Sequence, residues 1–190
     1  MMKSTRAAWL AALILAAGAA PAQSGPTLVP NQSEIVFTST QMGVPVEGRF
    51  QRFDAHFELD PARAQIRGVR FSVDTGSATL GLAEADAELR KPDWFNVAAY
   101  DKAVFQSTDV KRLGDGRFSV TGRLNLKGRE RDLVVPVRVT QAGATSIVTG
   151  SLTLRRLDHR VGDAEWSDTS LVANDVQVRF KLALTGLPPL

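Results

Sequence analysis

At 190 residues, with 23 basic and 20 acidic side chains, two histidines and no cysteine, the chain has the length of one domain. The lack of cysteine excludes disulfides and thiolate metal sites, so stability must come from packing and hydrogen bonds. A net charge of +3, spread along the chain, excludes the clustered basic face that nucleic-acid binding requires.

In chain order, the opening "MMKSTRAAWLAALILAAGAAPAQS" joins basic Lys3 and Arg6 to an apolar run from Ala7 to Ala17 and a small-residue pattern, Ala20-Pro21-Ala22. This predicts a secretory signal over residues 1–22 and an exported protein. Cleavage there leaves 168 residues with 21 basic against 20 acidic groups, a net charge of +1. A chain of that length buries about 70% of its unfolded surface. No later stretch approaches the ~20 apolar residues of a membrane helix. Residues 23–32, with Pro26 and Pro30, are expected to form a flexible start.

From Ser33 the pattern is one of strands, with apolar residues at every second position. Ile35 and Phe37 share a face in 33–39, as do Val44, Val46, Gly48 and Phe50 in 44–50. Phe53, Ala55, Phe57 and Leu59 follow in 53–60, which Pro61 stops, and then Val69, Phe71 and Val73 in 66–74. The segment 81–91, "GLAEADAELRK", instead carries Leu82, Ala85 and Leu89 at helical spacing and predicts one short helix, ended by Pro92. Trp94 and Phe95 then stand together in a broken segment, and alternation resumes near Lys102.

After the turn "GDG" at 114–116, Phe118, Val120, Gly122, Leu124 and Leu126 alternate in 117–126, and Leu133, Val135, Val137 and Val139 in 132–139. The clearest strand is 175–184, with Val176, Val178, Phe180, Leu182 and Leu184 on one face. Residues 186–190, with Pro188 and Pro189, are expected to be a loose end. About eight antiparallel strands predict an all-β barrel or sandwich, a choice that periodicity leaves open. Glycines within strands, at 48, 68, 122 and 150, fit a strongly bent sheet or close approach of a ligand.

Catalytic chemistry is sparse. His56 alternates outward, and His159 lies beside Asp158 with no nucleophile elbow of the G-x-S-x-G type to serve. No metal-ligand spacing and no phosphate-cradling glycine loop is present. The expectation is a protein that is not an enzyme and holds no metal or resident cofactor.

Four stretches, in order, resemble the YceI-like family: "SEIVFTSTQMGVPVEGRFQRFDAHFELDP", "ADAELRKPDWFNVAAYDKAVFQS", "GDGRFSVTGRLNLKGRERDLVVPV" and "RRLDHRVGDAEWSDTSLVANDVQVRFKL". The resemblance runs from about Ser33 to Leu184. It implies an extended, lipocalin-like antiparallel β-barrel over residues 33–185 that binds a polyisoprenoid or similar long apolar lipid in the periplasm, with a quinone or fatty lipid as further possible occupants. The chain departs from the family at Glu88, where histidine is frequent, at Asp101, where proline usually follows the tyrosine, and at His159-Arg160, where an aromatic-glycine pair is usual.

On this reading the lining consists of Phe37, Phe50, Phe57, Phe71, Leu89, Trp94, Phe95, Phe105, Leu124, Val137, Trp166 and Phe180. Arg156 and Arg160 are candidates to meet an anionic head at the barrel mouth, since a guanidinium fork suits phosphate. A homodimer is compatible with the sequence. The rival expectation is an accessory protein of a membrane redox or envelope-stress system, with a barrel filled by its own side chains.

Overall fold

A computed structural model describes residues 25–60 and 65–187. The expected signal at 1–22, Pro61 and the last three residues lie outside them. Within them, alternation becomes eleven strands joined in one antiparallel sheet, nine of them seven residues or longer. These are β1 (Thr27–Leu28), β2 (Glu34–Gln41), β3 (Val44–Phe50), β4 (Phe53–Asp60), β5 (Gln65–Asp74), β6 (Ala78–Thr79), β7 (Lys102–Gly114), β8 (Arg117–Leu126), β9 (Arg129–Ala142), β10 (Thr145–Arg155) and β11 (Asp175–Thr185). The expected helix is shorter than its sequence pattern, α1 at Ala83–Leu89.

The ladder runs β4-β5-β7-β8-β9-β10-β11-β2-β3-β6, and the sheet curls so that one face of each long strand looks inward. Neighbouring strands in the middle are joined by tight hairpins. The β8–β9 turn is Lys127-Gly128, with both residues at positive φ, as right-handed strand twist demands of a two-residue connection. β3 and β4 do not pair. The seam between them is stitched through Ser77, whose carbonyl accepts from the Gln51 amide (3.2 Å) and whose Oγ accepts from the Arg52 amide (3.0 Å). Side chains complete the closure: Phe53, Ala55 and Phe57 of β4 pack against Leu28, Leu182 and Leu184 of β1 and β11.

Two segments depart from expectation. Residues 27–32 are ordered by the sheet, because β2 begins only at Glu34 and would leave the end of β11 as a bare edge. β1 covers it, pairing Thr27 with Thr185 and Leu28 with Leu184, and Ser33 Oγ accepts from the Ala183 amide at 2.9 Å. Leu187, expected in a loose end, packs on the same apolar cluster. The second departure is β10, a full central strand between β9 and β11. It carries the alternation Val148, Gly150, Leu152 and Leu154.

Apolar packing divides between two places. One cluster, around Phe37, Leu89, Trp94, Phe95, Leu126, Val161 and Val172, closes the end where β7 starts and β8 finishes. The other, around Leu28, Leu182 and Leu184, lies toward the opposite end. Between them the barrel is hollow.

Candidate functional site

The space enclosed by the sheet is a cavity of about 880 Å³. Its wall is built by the period of two. Phe118, Val120, Leu124 and Leu126 of β8 line it, as do Leu133, Val135, Val137 and Val139 of β9, and Val176, Val178, Phe180, Leu182 and Leu184 of β11. Two strands change phase partway. In β5 a bulge opposite Glu58–Leu59 separates Ile66 from Val69, and in β7 a bulge at Thr108 separates Phe105 from Val110, yet all four side chains face inward.

All twelve residues expected as lining lie on this wall. Phe37 and Phe50 touch at 5.2 Å between ring centroids, and Phe50 meets Phe95 edge-on at 5.8 Å. Phe57, Phe71, Phe105, Leu124, Val137 and Phe180 spread along the barrel, while Leu89 is held in place by α1. Trp94 and Phe95 are buried, where they close one end of the barrel and face the cavity. Trp94 packs at a tilt against Trp166, with ring centroids 5.5 Å apart, and the buried Nε1–H of each finds no acceptor among the described residues. The sequence reading missed the lining from β10 and the polar residues Gln65 and Arg112, which the cavity also touches.

The closed end is tied by two cations that point at backbone oxygens. Arg156 is only 4% exposed. Its Nε donates to Ala173 O (3.0 Å), one terminal nitrogen to Val161 O (3.1 Å) and Gly162 O, and the other to Trp166 O (2.7 Å) and Val172 O (2.6 Å). Five donors meet five carbonyls. Arg156 therefore has nothing left for a ligand head, and its assignment as a head-group residue is corrected: it fastens the 156–174 segment over the barrel end. Lys127 does similar work, donating to Arg160 O (2.6 Å) and Asp93 O (3.2 Å), while burial lowers its pKa.

Arg160 is corrected as well. It is absent from the cavity wall, its side chain points to solvent, and its Nε donates to Asp163 Oδ2 at 2.8 Å. His159 is 2% exposed, and its Nδ1 lies 3.1 Å from Arg129 O, so the neutral ring carries its proton there. Burial is the main cause of its lowered pKa. Glu88, on α1, borders the cavity and pairs with Lys91.

What this arrangement can do is bury hydrocarbon. The wall is apolar apart from a few residues near its ends, and its volume falls in the ~300–1,000 Å³ range of small-molecule pockets. Leu82, beside α1, is 66% exposed and also borders the cavity. The interior is not filled by its own side chains, contrary to the rival expectation.

Residues 27–184 match the YceI-like domain. A UPF0312 protein of Vibrio cholerae is 36% identical over 98 residues, and the chain spans about half the length of that relative, as the match spans about half of this chain. Among solved structures, Burkholderia cenocepacia BcnA superposes with a TM-score of 0.76 at 35% identity, covering 82% of this chain and 98% of that one. A polyisoprenoid binding domain from Saccharophagus degradans, implicated in plant cell wall breakdown, shares the fold with a TM-score of 0.70 at 17% identity, covering 86% of this chain and 99% of that one.

Proposed function

The chain belongs to the YceI-like family, and on that premise we propose that it is an exported protein that carries or sequesters one long apolar lipid, a polyisoprenoid or similar molecule, inside its barrel. The observation that carries this reading is the hollow interior, about 880 Å³ of space walled by aliphatic and aromatic side chains. The polyisoprenoid-binding description of the Saccharophagus degradans domain adds support. The basic start, apolar run and Ala-Pro-Ala pattern of residues 1–22 support a periplasmic setting.

The energetics fit a prenyl chain. It has almost no hydrogen-bonding groups, so recognition comes from burial, at about 0.8 kcal/mol per CH₂ and hence roughly 3–4 kcal/mol gross per isoprene unit. Ordering of the tail and lost translational freedom offset much of this. Micromolar affinity needs only ~8 kcal/mol net, which several buried units supply.

Native mass spectrometry and solvent extraction of the purified protein test the reading, together with titration of prenyl lipids and a fluorescent fatty probe. A co-purifying apolar molecule, or saturable uptake of a prenyl lipid, is the expected result. Protein that emerges empty and ignores every lipid offered would overturn it.

A further inference from the structure

Three charged side chains border the cavity: Glu88, Arg112 and Arg156. Two are engaged within the protein, Glu88 with Lys91 and Arg156 with its five carbonyls. The Arg112 side chain makes no hydrogen bond or ion pair among the described residues. It nevertheless faces inward. The bulge at Thr108 resets the phase of β7, so that Val110 and Arg112 follow Phe105 onto the cavity side, with Arg112 directly opposite Phe118 of β8. Arg112 is also exposed, so it stands at the rim of the cavity, at the end remote from Trp94, where an anionic head can meet both the guanidinium and water while its tail is buried.

β5 and β7 pair only from Asp74↔Lys102 to Arg70↔Gln106, although both strands continue, to Gln65 in one and Gly114 in the other. Beyond that ladder Gln65 and Ile66 of β5 and Val110 and Arg112 of β7 all border the cavity. Arg117 and Arg138, cross-strand neighbours on β8 and β9, add positive charge at the same end. The nearby carboxylates are engaged, Asp115 with Arg117 at 3.6 Å and Asp60 in an interaction of its own.

We propose that Arg112 is the head-group residue of the cavity, and that the ligand is a single-chain lipid with an oxyanion head. The head lodges at the cavity rim beside Gln65 and the tail runs toward Trp94 and Phe95. This rests on the reading of the cavity as a lipid site and adds its polarity. A guanidinium fork offers two parallel donors to a phosphate or a carboxylate, a match that an ammonium point charge lacks.

Binding of geranylgeranyl diphosphate, geranylgeraniol and palmitate to the full chain and to Arg112→Gln and Arg160→Gln variants tests the assignment. The wild type should bind at least one of the two anionic lipids tenfold or more tighter than the alcohol. Arg112→Gln should weaken that anion ten- to a hundredfold, the span of a charge-assisted hydrogen-bonded pair, and leave the alcohol within twofold, which also certifies the fold. Arg160→Gln should change nothing. Preference for the diphosphate alone or for palmitate alone identifies the head as phosphate or carboxylate. Alcohol and anions bound alike, or an anion preference that survives Arg112→Gln, overturns the assignment while the lipid reading stands; no binding of any lipid takes down both.

Discussion

Phe180 and Gly150 sit directly opposite each other on β11 and β10, and the tip of the Phe180 ring occupies the space that a side chain on Gly150 would need. Phe37 stands in the same relation to Gly48 on β2 and β3. The glycines thus let large rings lie along the wall, so the barrel has an aromatic lining and still keeps room inside. Gly150→Ala should destabilise the protein by about 1–3 kcal/mol, because the new Cβ meets both the ring and Pro136 O at 2.8 Å. Urea unfolding measures it. Pairing the change with Phe180→Leu should recover part of the loss, and equal losses in the single and double variants would show that the ring is not what the methyl strikes.

Arg156 makes a second prediction. Its guanidinium is the common partner of carbonyls at Val161, Gly162, Trp166, Val172 and Ala173, so Arg156→Met orphans all of them in a buried place. A loss of at least about 3 kcal/mol is expected in denaturant unfolding. Arg156→Lys should rescue little, since an ammonium group has three donors and lacks the planar fork. A lysine variant as stable as the wild type would contradict the five-carbonyl account.

Which parts of this were legible in the sequence follows from range. The inner faces of β8, β9 and β11 were readable because alternation depends only on the strand's own residues. β7 was not, since the bulge at Thr108 comes from how the backbone pairs with β8 and switches the inward set from Ala103 and Phe105 to Val110 and Arg112. That switch hid Arg112, which by simple alternation from Phe105 belongs outside. Arg156 misled in the opposite sense: "RRLDHR" has the composition of a solvated turn, and the carbonyls that bury its side chain include those of Val172 and Ala173, far along the chain. Trp94 and Trp166 were legible as candidates by size alone; their mutual contact was not.

His159 gives a pH dependence. Burial holds its pKa below the ordinary value of 6.5, against the opposing pull of the Arg129 carbonyl. The unfolded chain therefore takes up a proton near pH 6.5 that the folded protein accepts only at lower pH. By linkage, stability is fully present above about pH 6.5 and is lost as pH falls toward the folded value. Unfolding midpoints should drop between pH 7 and 5, and His159→Gln, which retains a donor for Arg129 O, should flatten that slope. Asp86 and Asp168, whose pKa values are lowered by hydrogen bonds from Thr79 and Ser170, act below the carboxylate range near 3.8 and stay clear of this window. An unchanged slope in the variant would assign the acid sensitivity elsewhere.

The last prediction concerns tail length. Leu124 is half-buried on the wall, cross-strand from Phe105, packing on the edge of the cluster around Trp94 and Phe95 while it borders the cavity. A tryptophan there projects into empty space, where a filled interior would be overpacked at a cost of about 1–3 kcal/mol. Leu124→Trp should therefore fold with near wild-type stability and lose capacity for long chains first. Each isoprene unit displaced forfeits roughly 3–4 kcal/mol of gross burial, so affinity should fall steeply for a long prenyl lipid and little for a short one that stops before the new ring. A chain-length series on both proteins, with unfolding curves measured alongside, separates the outcomes. Equal loss at every length would place the lipid somewhere other than along this wall, and strong destabilisation without ligand would mean that the space near Leu124 is needed by the fold itself.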